Sequence, residues 1–307
     1  MSATCGPLTR HALRDMLSIG PAHALPAAVH RGVPERRDDH WIERIVLVAP
    51  DDHAIPCLLL TPLSEPPWPA AVVAVHQHNN EFALGKSEPA GVEGDPELSY
   101  GLGVVRRGIP VVAPDLSGFE ERRPESGDPY RAEQLVAWNL VADGRSLQGR
   151  HVEDVSLVAG WLGRQLEIGG PIGAVGHSLG GQVVFFAMAA DSRLRAGVAS
   201  CGIGSIASFE TADVLHNPAW YVPGLRAAGD AEAVAGCFDG QRVRVVQGRR
   251  DPIFPLDGVR SVAASFPDGV CDLVEFDGGH AFPEPIQSQS IEWLVQTLLL
   301  ETTEIAQ

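Results

Sequence analysis

Short runs of consecutive apolar residues alternate along this chain with longer segments in which apolar residues recur at helical spacing. The runs at 70–75 (AAVVAV), 109–113 and 172–175 are apolar throughout, which is typical of strands buried on both faces of a parallel sheet. Further strands are predicted at 196–200, 243–247 and 270–276, and helices at 97–107, in two pieces across 131–165, at 256–265 and at 285–300. This alternation predicts an α/β fold, a mostly parallel sheet with helices on both faces.

The amino-terminal part of the chain has a different pattern. Residues 41–48 alternate between apolar and polar, and 55–60 form a partner across a turn, so the two predict a hairpin at the antiparallel edge of the sheet. Residues 1–40 hold one predicted helix, 8–17, and are interpreted as an N-terminal extension outside the core. We predict one domain over 41–307, with a lid-like insertion at 202–240.

Composition and charge narrow the class of protein. The 307 residues are 45% hydrophobic and 20% charged, which excludes a disordered chain. The formal net charge of −16 disfavours nucleic acid and anionic membranes as partners. Five scattered cysteines and an N-terminus without an apolar core predict free thiols and a cytoplasmic location. A homodimer is left open.

The clearest chemical motif is Gly-His-Ser-Leu-Gly at 176–180, between a predicted strand and a predicted helix. Gly-x-Ser-x-Gly in that context is the nucleophile elbow, a turn so sharp that a Cβ on either side of the serine would collide with the strand or the helix. Ser178 is therefore the candidate nucleophile. The alternative is a glycine-rich turn between strand and helix that has no catalytic role.

A serine hydroxyl needs a base to take its proton and an acid to orient that base. Asp251 follows the predicted strand 243–247, and His280 follows the predicted strand 270–276 after two glycines. Both therefore lie at the edge of the sheet where the nucleophile is expected. The aspartates that compete with Asp251 for the acid role are Asp257, Asp268 and Asp277.

The oxyanion that forms during acyl transfer needs backbone N–H donors. The first is predicted to be the N–H of Leu179, directly after the nucleophile. The second is expected in the loop after strand 70–75, which reads His76-Gln77-His78-Asn79-Asn80; His78 is the first choice and Gln77 the second. His76 and His78 could also be a metal pair, but no further ligands are apparent nearby in the sequence, so no metal is predicted.

From about residue 41 onward the chain resembles the serine α/β-hydrolases of the dienelactone hydrolase and acetyl xylan esterase-like group. The segments that carry the resemblance are LLLTP, VHQHNN, GIPVVAPDLSGF, GHSLGG, QGRRDPIFP and GGHAFP. The resemblance implies the α/β-hydrolase fold, hydrolysis of esters or related acyl bonds, and a triad of Ser178, Asp251 and His280. Two features depart from the group: dienelactone hydrolases proper use cysteine as the nucleophile, and Gln77 replaces the usual glycine of His-Gly-x.

These observations predict a serine hydrolase that cleaves a carboxylic ester, thioester or lactone of a small-molecule acyl substrate through an acyl-enzyme, with no cofactor. An acyltransferase, lyase or cyclase that uses the same triad is the alternative, and a binding module on a hydrolase scaffold is a third. Segment 202–240 is rich in aromatic residues. Because loops at this sheet edge line active sites, Trp220 and Tyr221 are predicted to form the substrate pocket.

Overall fold

A computed structural model describes residues 7–21, 24–165 and 168–305 of the chain. Its strands are β1 (Ala28–Arg31), β2 (Glu35–Arg36), β3 (His40–Val48), β4 (Ala54–Pro62), β5 (Ala71–Val75), β6 (Val111–Pro114), β7 (Ile172–His177), β8 (Leu194–Ser200), β9 (Arg242–Gly248) and β10 (Cys271–Phe276). Its α-helices are α1 (Arg10–Leu17), α2 (Tyr100–Val105), α3 (Pro129–Ala142), α4 (Leu147–Gln165), α5 (Leu179–Ala190), α6 (Ile206–Thr211), α7 (Leu225–Ala228), α8 (Asp230–Ala235), α9 (Leu256–Ala263) and α10 (Glu284–Ile305).

The strands form a single sheet in the order β1-β3-β4-β6-β5-β7-β8-β9-β10, with β2 paired to β3. Six strands, in the sheet order β6-β5-β7-β8-β9-β10, run parallel to one another. On the other side of β6, strand β4 pairs with it antiparallel. The carboxyl ends of β5, β7, β8, β9 and β10 therefore meet at one edge. This is the predicted α/β architecture, with helices on both faces.

The apolar runs of the sequence are the buried centre of this sheet. Every residue of β5, β6 and β7 is buried, because helices cover both faces. Helices α4 and α5 pack on one face, while α2 and α10 pack on the other. Each strand of this centre is thus apolar along its whole length.

The predicted hairpin is correct in its pairing but wrong in its position at the edge. Strands β3 and β4 pair antiparallel in register from His40 with Pro62 to Val48 with Ala54. Beyond β3, however, lie β1 and β2. These strands are short and largely exposed, so their residues lack the apolar alternation by which a strand is recognised.

The segment predicted as an extension contributes to both sheet and core. Besides β1 and β2, it supplies α1, whose Leu13 and Leu17 are buried in the main hydrophobic cluster. Helix α1 packs against α5. The division of the chain at residue 40 stays a prediction, and Cys5 lies outside the described residues.

Segment 202–240, predicted to be irregular, contains three short helices, α6, α7 and α8, and a 3₁₀ turn at Pro218–Trp220. Each of these elements buries at least one apolar side chain: Phe209 of α6, Leu225 of α7, Val234 of α8 and Trp220 of the turn. The role of the segment as a lid stays a prediction. Among the described helices, none combines the length and the apolar character that a bilayer span requires.

Four of the described histidines, three buried and one half-buried, are held neutral by the fold. Burial lowers the pKa of His76 and His216 to about 4, and that of His151 and His177 to about 3. In the unfolded chain a histidine titrates near 6.5. The unfolded chain therefore binds more protons than the folded chain below pH 6.5, so stability is present above that pH and is lost as the pH falls toward 3.

We expect His151→Phe to make unfolding less sensitive to acid. Neither ring nitrogen of His151 has a hydrogen-bond partner in the part of the chain that the structure describes, so the exchange removes a titrating group and none of the described hydrogen bonds. Between pH 6 and pH 4 the slope of the unfolding free energy should fall by about one proton, or about 1.4 kcal/mol per pH unit. Urea denaturation across this range measures it. His30→Phe, at an exposed position, should keep the wild-type slope; an unchanged slope in His151→Phe would contradict the account.

Candidate active site

Ser178 lies on a strained turn between β7 and α5. Its backbone has φ 55° and ψ −119°, a conformation that a non-glycine residue adopts at a cost of about 1–3 kcal/mol. A Cβ on Gly176 would overlap the backbone of Gly180, and a Cβ on Gly180 would overlap the carbonyl oxygen of Val75. The two glycines of the motif are therefore required by close contacts with the helix and with β5.

The structure brings the three predicted catalytic residues together. His280 Nε2 lies 2.9 Å from Ser178 Oγ, and His280 Nδ1 lies 2.9 Å from Asp251 Oδ2. A carboxylate only accepts, so Nδ1 carries the ring proton and Nε2 is free to accept from the serine hydroxyl. The arrangement can deprotonate Ser178 as an acyl carbon is attacked.

Asp251 is held by four donors. Its Oδ1 accepts from the N–H groups of Ile253 (2.9 Å) and Phe254 (3.1 Å), while Oδ2 accepts from His280 and from Gln247 Nε2 (3.1 Å). Burial alone would raise the pKa of Asp251, but the hydrogen bond and charge of His280, with the two backbone N–H groups, keep it below its ordinary value. The carboxylate is thus fixed in position and ionised.

The competing aspartates lie in other environments. Asp257 is in the first turn of α9, Asp268 is exposed, and Asp277 pairs with Arg250. Gln247, the last buried side chain of β9 before Gly248, was not foreseen. Its amide also donates to the carbonyl oxygens of Gly248 and Phe254, so it braces the loop that carries Asp251.

Two buried side chains pack beside His280 without reaching the serine. His177 lies 5.0 Å from it, ring centroid to ring centroid, with its Nδ1 3.1 Å from Ser200 Oγ. The thiol of Cys201 contacts the carbonyl oxygen of Ala281, and burial raises its pKa to about 12. Burial also lowers the pKa of His177 to about 3, so both groups are uncharged at neutral pH.

The loop after β5 carries the predicted oxyanion donors. The backbone N–H groups of Gln77, His78 and Leu179 have no acceptor within residues 7–21, 24–165 and 168–305. His76, next to them, donates from Nδ1 to the carbonyl oxygen of Gln77 and accepts at Nε2 from the N–H of Leu116. The loop is thereby tied to the segment after β6 while its N–H groups stay available.

A buried ion cluster fastens the same two loops. The ammonium of Lys86 contacts Asp115 and Glu121 at 2.9 Å each, and also Glu120. Burial would lower the pKa of Lys86, but the carboxylates around it raise that pKa instead. Lys86 is therefore charged, and it draws residues 115–121 against the loop that begins at His76.

A cavity of about 350 Å³ opens beside Ser178 and His280. The described residues that line it are His78, Asn79, Asn80, Tyr130, Glu133, Gln134, Ser178, Leu215, His216, Asn217, Pro218, Ile253, Phe254 and His280. Most are polar. Glu133, on α3, was not singled out from the sequence; its carboxylate lies 3.0 Å from His78 Nε2, and only the folded sheet brings the two together.

The cavity lining does not include the two residues predicted to form it. Trp220 is fully buried and packs against Phe186, Phe209 and Phe254, at ring-centroid distances of 5.8, 5.1 and 6.1 Å. It lies one layer behind Phe254, which does line the cavity. Tyr221 is 39% exposed. The pocket assignment of this pair is corrected: their neighbours in the 3₁₀ turn direct the indole into the core.

Two groups of three side chains have the spacing of a metal site among the described residues. One is Cys201, Asp251 and His280; the other is Asp115, Glu120 and Glu121. In the first, His280 is hydrogen-bonded to both Asp251 and Ser178, and in the second the ammonium of Lys86 contacts all three carboxylates. Neither group contains His76 or His78. The absence of a metal stays a prediction.

Solved structures that share the fold of this chain include two acetyl xylan esterases. Acetyl xylan esterase 1 from Thermoanaerobacterium sp. JW/SL YS485 matches with a TM-score of 0.67 at 15% identity, over 95% of each chain. The acetyl xylan esterase from Paenibacillus sp. R4 matches with a TM-score of 0.66 at 16% identity, over 94% of this chain and 92% of that one. The chain has the α/β-hydrolase fold.

Sequence comparison adds a further relative. A Bacillus subtilis (strain 168) protein named "Putative hydrolase YtaP" is 24% identical over 279 residues, which are 86% of this chain and 90% of that protein. No family model matches the chain. The resemblance expected from the motifs is confirmed for the fold and for its esterase neighbours.

We expect Trp220→Ala to lower stability without changing substrate preference. Loss of a fully buried indole should cost about 3–5 kcal/mol of unfolding free energy, while the ratio of kcat/KM between long and short acyl esters stays within about threefold of wild type. Tyr221→Ala, which removes a partly exposed ring, serves as the control and should cost under about 1 kcal/mol. Urea denaturation and a chain-length series measure both quantities. A selectivity change of tenfold or more in Trp220→Ala would restore its place in the pocket.

Proposed function

We propose that this chain is a serine hydrolase that cleaves a carboxylic ester, thioester or lactone through an acyl-enzyme. The observation that carries the proposal is the unbroken hydrogen-bonded chain from Ser178 Oγ through His280 to Asp251, which borders an open cavity. The esterase neighbours support ester hydrolysis in general.

In the first half-reaction, Ser178 Oγ attacks the acyl carbon and its proton passes to His280 Nε2. The C–O or C–S bond to the leaving group then breaks, and His280 returns the proton to the departing oxygen or sulfur. Asp251 stabilises the imidazolium that forms between these steps. A water then attacks the acyl-enzyme with His280 again as the base, which releases the acid and restores Ser178.

The oxyanion of each tetrahedral intermediate needs two donors. We assign them to the N–H of Leu179 and to that of His78, with Gln77 as the second choice. Support comes from the lack of an acceptor for these N–H groups among the described residues and from the place of His78 in the cavity lining. Leu179 also opens α5, whose amino-terminal end favours negative charge.

An acyl transferase would share every step except the last. The two activities are separated by analysing the products of turnover with and without an added alcohol or amine.

The cytoplasmic location and the homodimer also stay predictions. If a dimer forms, helix α3 is a candidate surface, since Leu135, Val136 and Trp138 are exposed on it; light scattering across a range of protein concentrations tests this.

We expect Ser178→Ala to lower turnover of an activated ester by about 10³-fold or more, because Oγ forms the covalent bond. The melting temperature should not fall, since alanine removes only the hydroxyl from a strained turn. Intact-mass analysis after a fluorophosphonate should show one adduct on the wild-type chain and none on Ser178→Ala. An adduct on another residue, or none at all, would overturn the assignment.

The oxyanion assignment predicts a selective loss with a thionoester. Sulfur in place of the carbonyl oxygen accepts weakly from backbone N–H groups, so kcat/KM should fall by about 10²-fold, the scale of losing one oxyanion donor. The matched thioester, with sulfur in the leaving group, keeps the carbonyl oxygen and should stay within about tenfold of the ester. Equal rates for the thionoester and the ester would show that no such donors act.

A further inference from the structure

The triad leaves one buried charge in the cavity unexplained. Glu133 on α3 is only 6% exposed, yet it lines the same cavity as Ser178 and His280. Removing a carboxylate from water costs several kcal/mol unless it is paired and hydrogen-bonded. The hydrogen-bond partners of Glu133 therefore show whether its negative charge is compensated within the protein.

One carboxylate oxygen is occupied. The backbone N–H of Asn80 donates to His78 Nδ1 over 3.0 Å. A backbone N–H can only donate, so Nδ1 carries no proton and the ring proton lies on Nε2. Nε2 then donates to Glu133 Oε1 over 3.0 Å. His78 is thus a neutral donor, and it leaves the negative charge of Glu133 in place.

The second oxygen is free. Glu133 Oε2 has no hydrogen-bond or ion-pair partner among the residues that the structure describes. The described residues around the cavity include neither lysine nor arginine. His216, another imidazole of the lining, is half-buried, and burial lowers its pKa to about 4, so it is uncharged at neutral pH. His280 donates to Asp251, not to Glu133.

We propose that Glu133 is a substrate-binding carboxylate and that the cavity selects esters bearing a protonated amine. The inference rests on the proposed ester hydrolysis and adds the class of substrate. An ammonium would form a charge-assisted hydrogen bond to Oε2 and supply the missing positive charge. A hydroxyl would form a weaker bond, and a substrate carboxylate would meet a like charge in a confined cavity. The expected order of preference is ammonium, then hydroxyl, then carboxylate.

The contact with His78 also suggests a role in positioning only, and the two roles can be separated. Glu133→Gln keeps an amide oxygen to accept from His78 Nε2 but removes the charge. Positioning alone would therefore leave the charge preference unchanged. Glu65→Gln is the matched control, because it loses the same charge at an exposed position outside the cavity.

The experiment compares p-nitrophenyl esters of caproate, ε-aminocaproate, ε-hydroxycaproate and adipate, which share chain length and leaving group. In the wild-type protein at neutral pH, kcat/KM for the ammonium ester should exceed that for the carboxylate ester by about tenfold or more, with the hydroxyl ester between them. Glu133→Gln should bring this ratio to within about threefold of unity, while Glu65→Gln keeps the wild-type ratio. The melting temperature and circular dichroism report whether each variant is folded, and the ratio of kcat/KM values within one variant does not depend on its overall activity.

A second measurement needs no variant. Butylammonium should bind the wild-type protein at least about tenfold more tightly than butyrate in titration calorimetry, whether or not any ester turns over. The inference is overturned if the wild-type protein shows neither preference, or if folded Glu133→Gln keeps the wild-type ratio. Failure of the proposed hydrolysis looks different: no ester, including the caproate ester, would be cleaved, and no fluorophosphonate adduct would form.

Discussion

The close approach of α5 to β5 and β7 is the constraint on which the candidate site depends. Ser178 must adopt a positive φ for its Oγ to stand clear of the sheet, and the helix can follow only because Gly176 and Gly180 carry no side chains. The strain, about 1–3 kcal/mol, is offset by the packing on both sides. All of β7 and all of α5 are buried, so the turn cannot relax without exposing the centre of the fold.

From this turn outward, the site is built of loops that are each held by a second set of contacts. Asp251 is fixed by Gln247 and two backbone N–H groups, and the loop after β5 is held by His76 and Lys86. None of these contacts touches the nucleophile. They lie at the ends of β5, β6 and β9, so the sheet fixes the positions of the loops that carry the candidate catalytic groups. The buried charges are also held by partners: Asp251 and Lys86 are ionised because groups beside them stabilise the charge. The buried histidines His76, His151 and His177 are neutral.

How much was predictable depends on whether a feature is local in sequence. The strands of the sheet centre are apolar because both faces are covered, and the motif at 176–180 has a steric requirement that sequence alone reveals. Asp251 and His280 were located because parallel strands end at one edge. Strands β1 and β2 were missed because exposed edge strands need no apolar pattern. Gln247 and Glu133 were missed because their partners are distant in sequence, so nothing in the adjacent residues indicates their contacts.

The correction at Trp220 shows how the aromatic residues behind the cavity are used. The aromatic residues of segment 202–240 were expected to face the substrate, since they follow a strand at the functional edge. Phe209 and Trp220 instead pack on each other and behind Phe254, which lines the cavity, and Trp220 also packs against Phe186. The cavity lining combines apolar side chains (Leu215, Pro218, Ile253 and Phe254) with amides, imidazoles and the carboxylate of Glu133. An apolar wall can therefore take the acyl chain, while the polar groups of the β5 loop and α3 fix the orientation of the substrate.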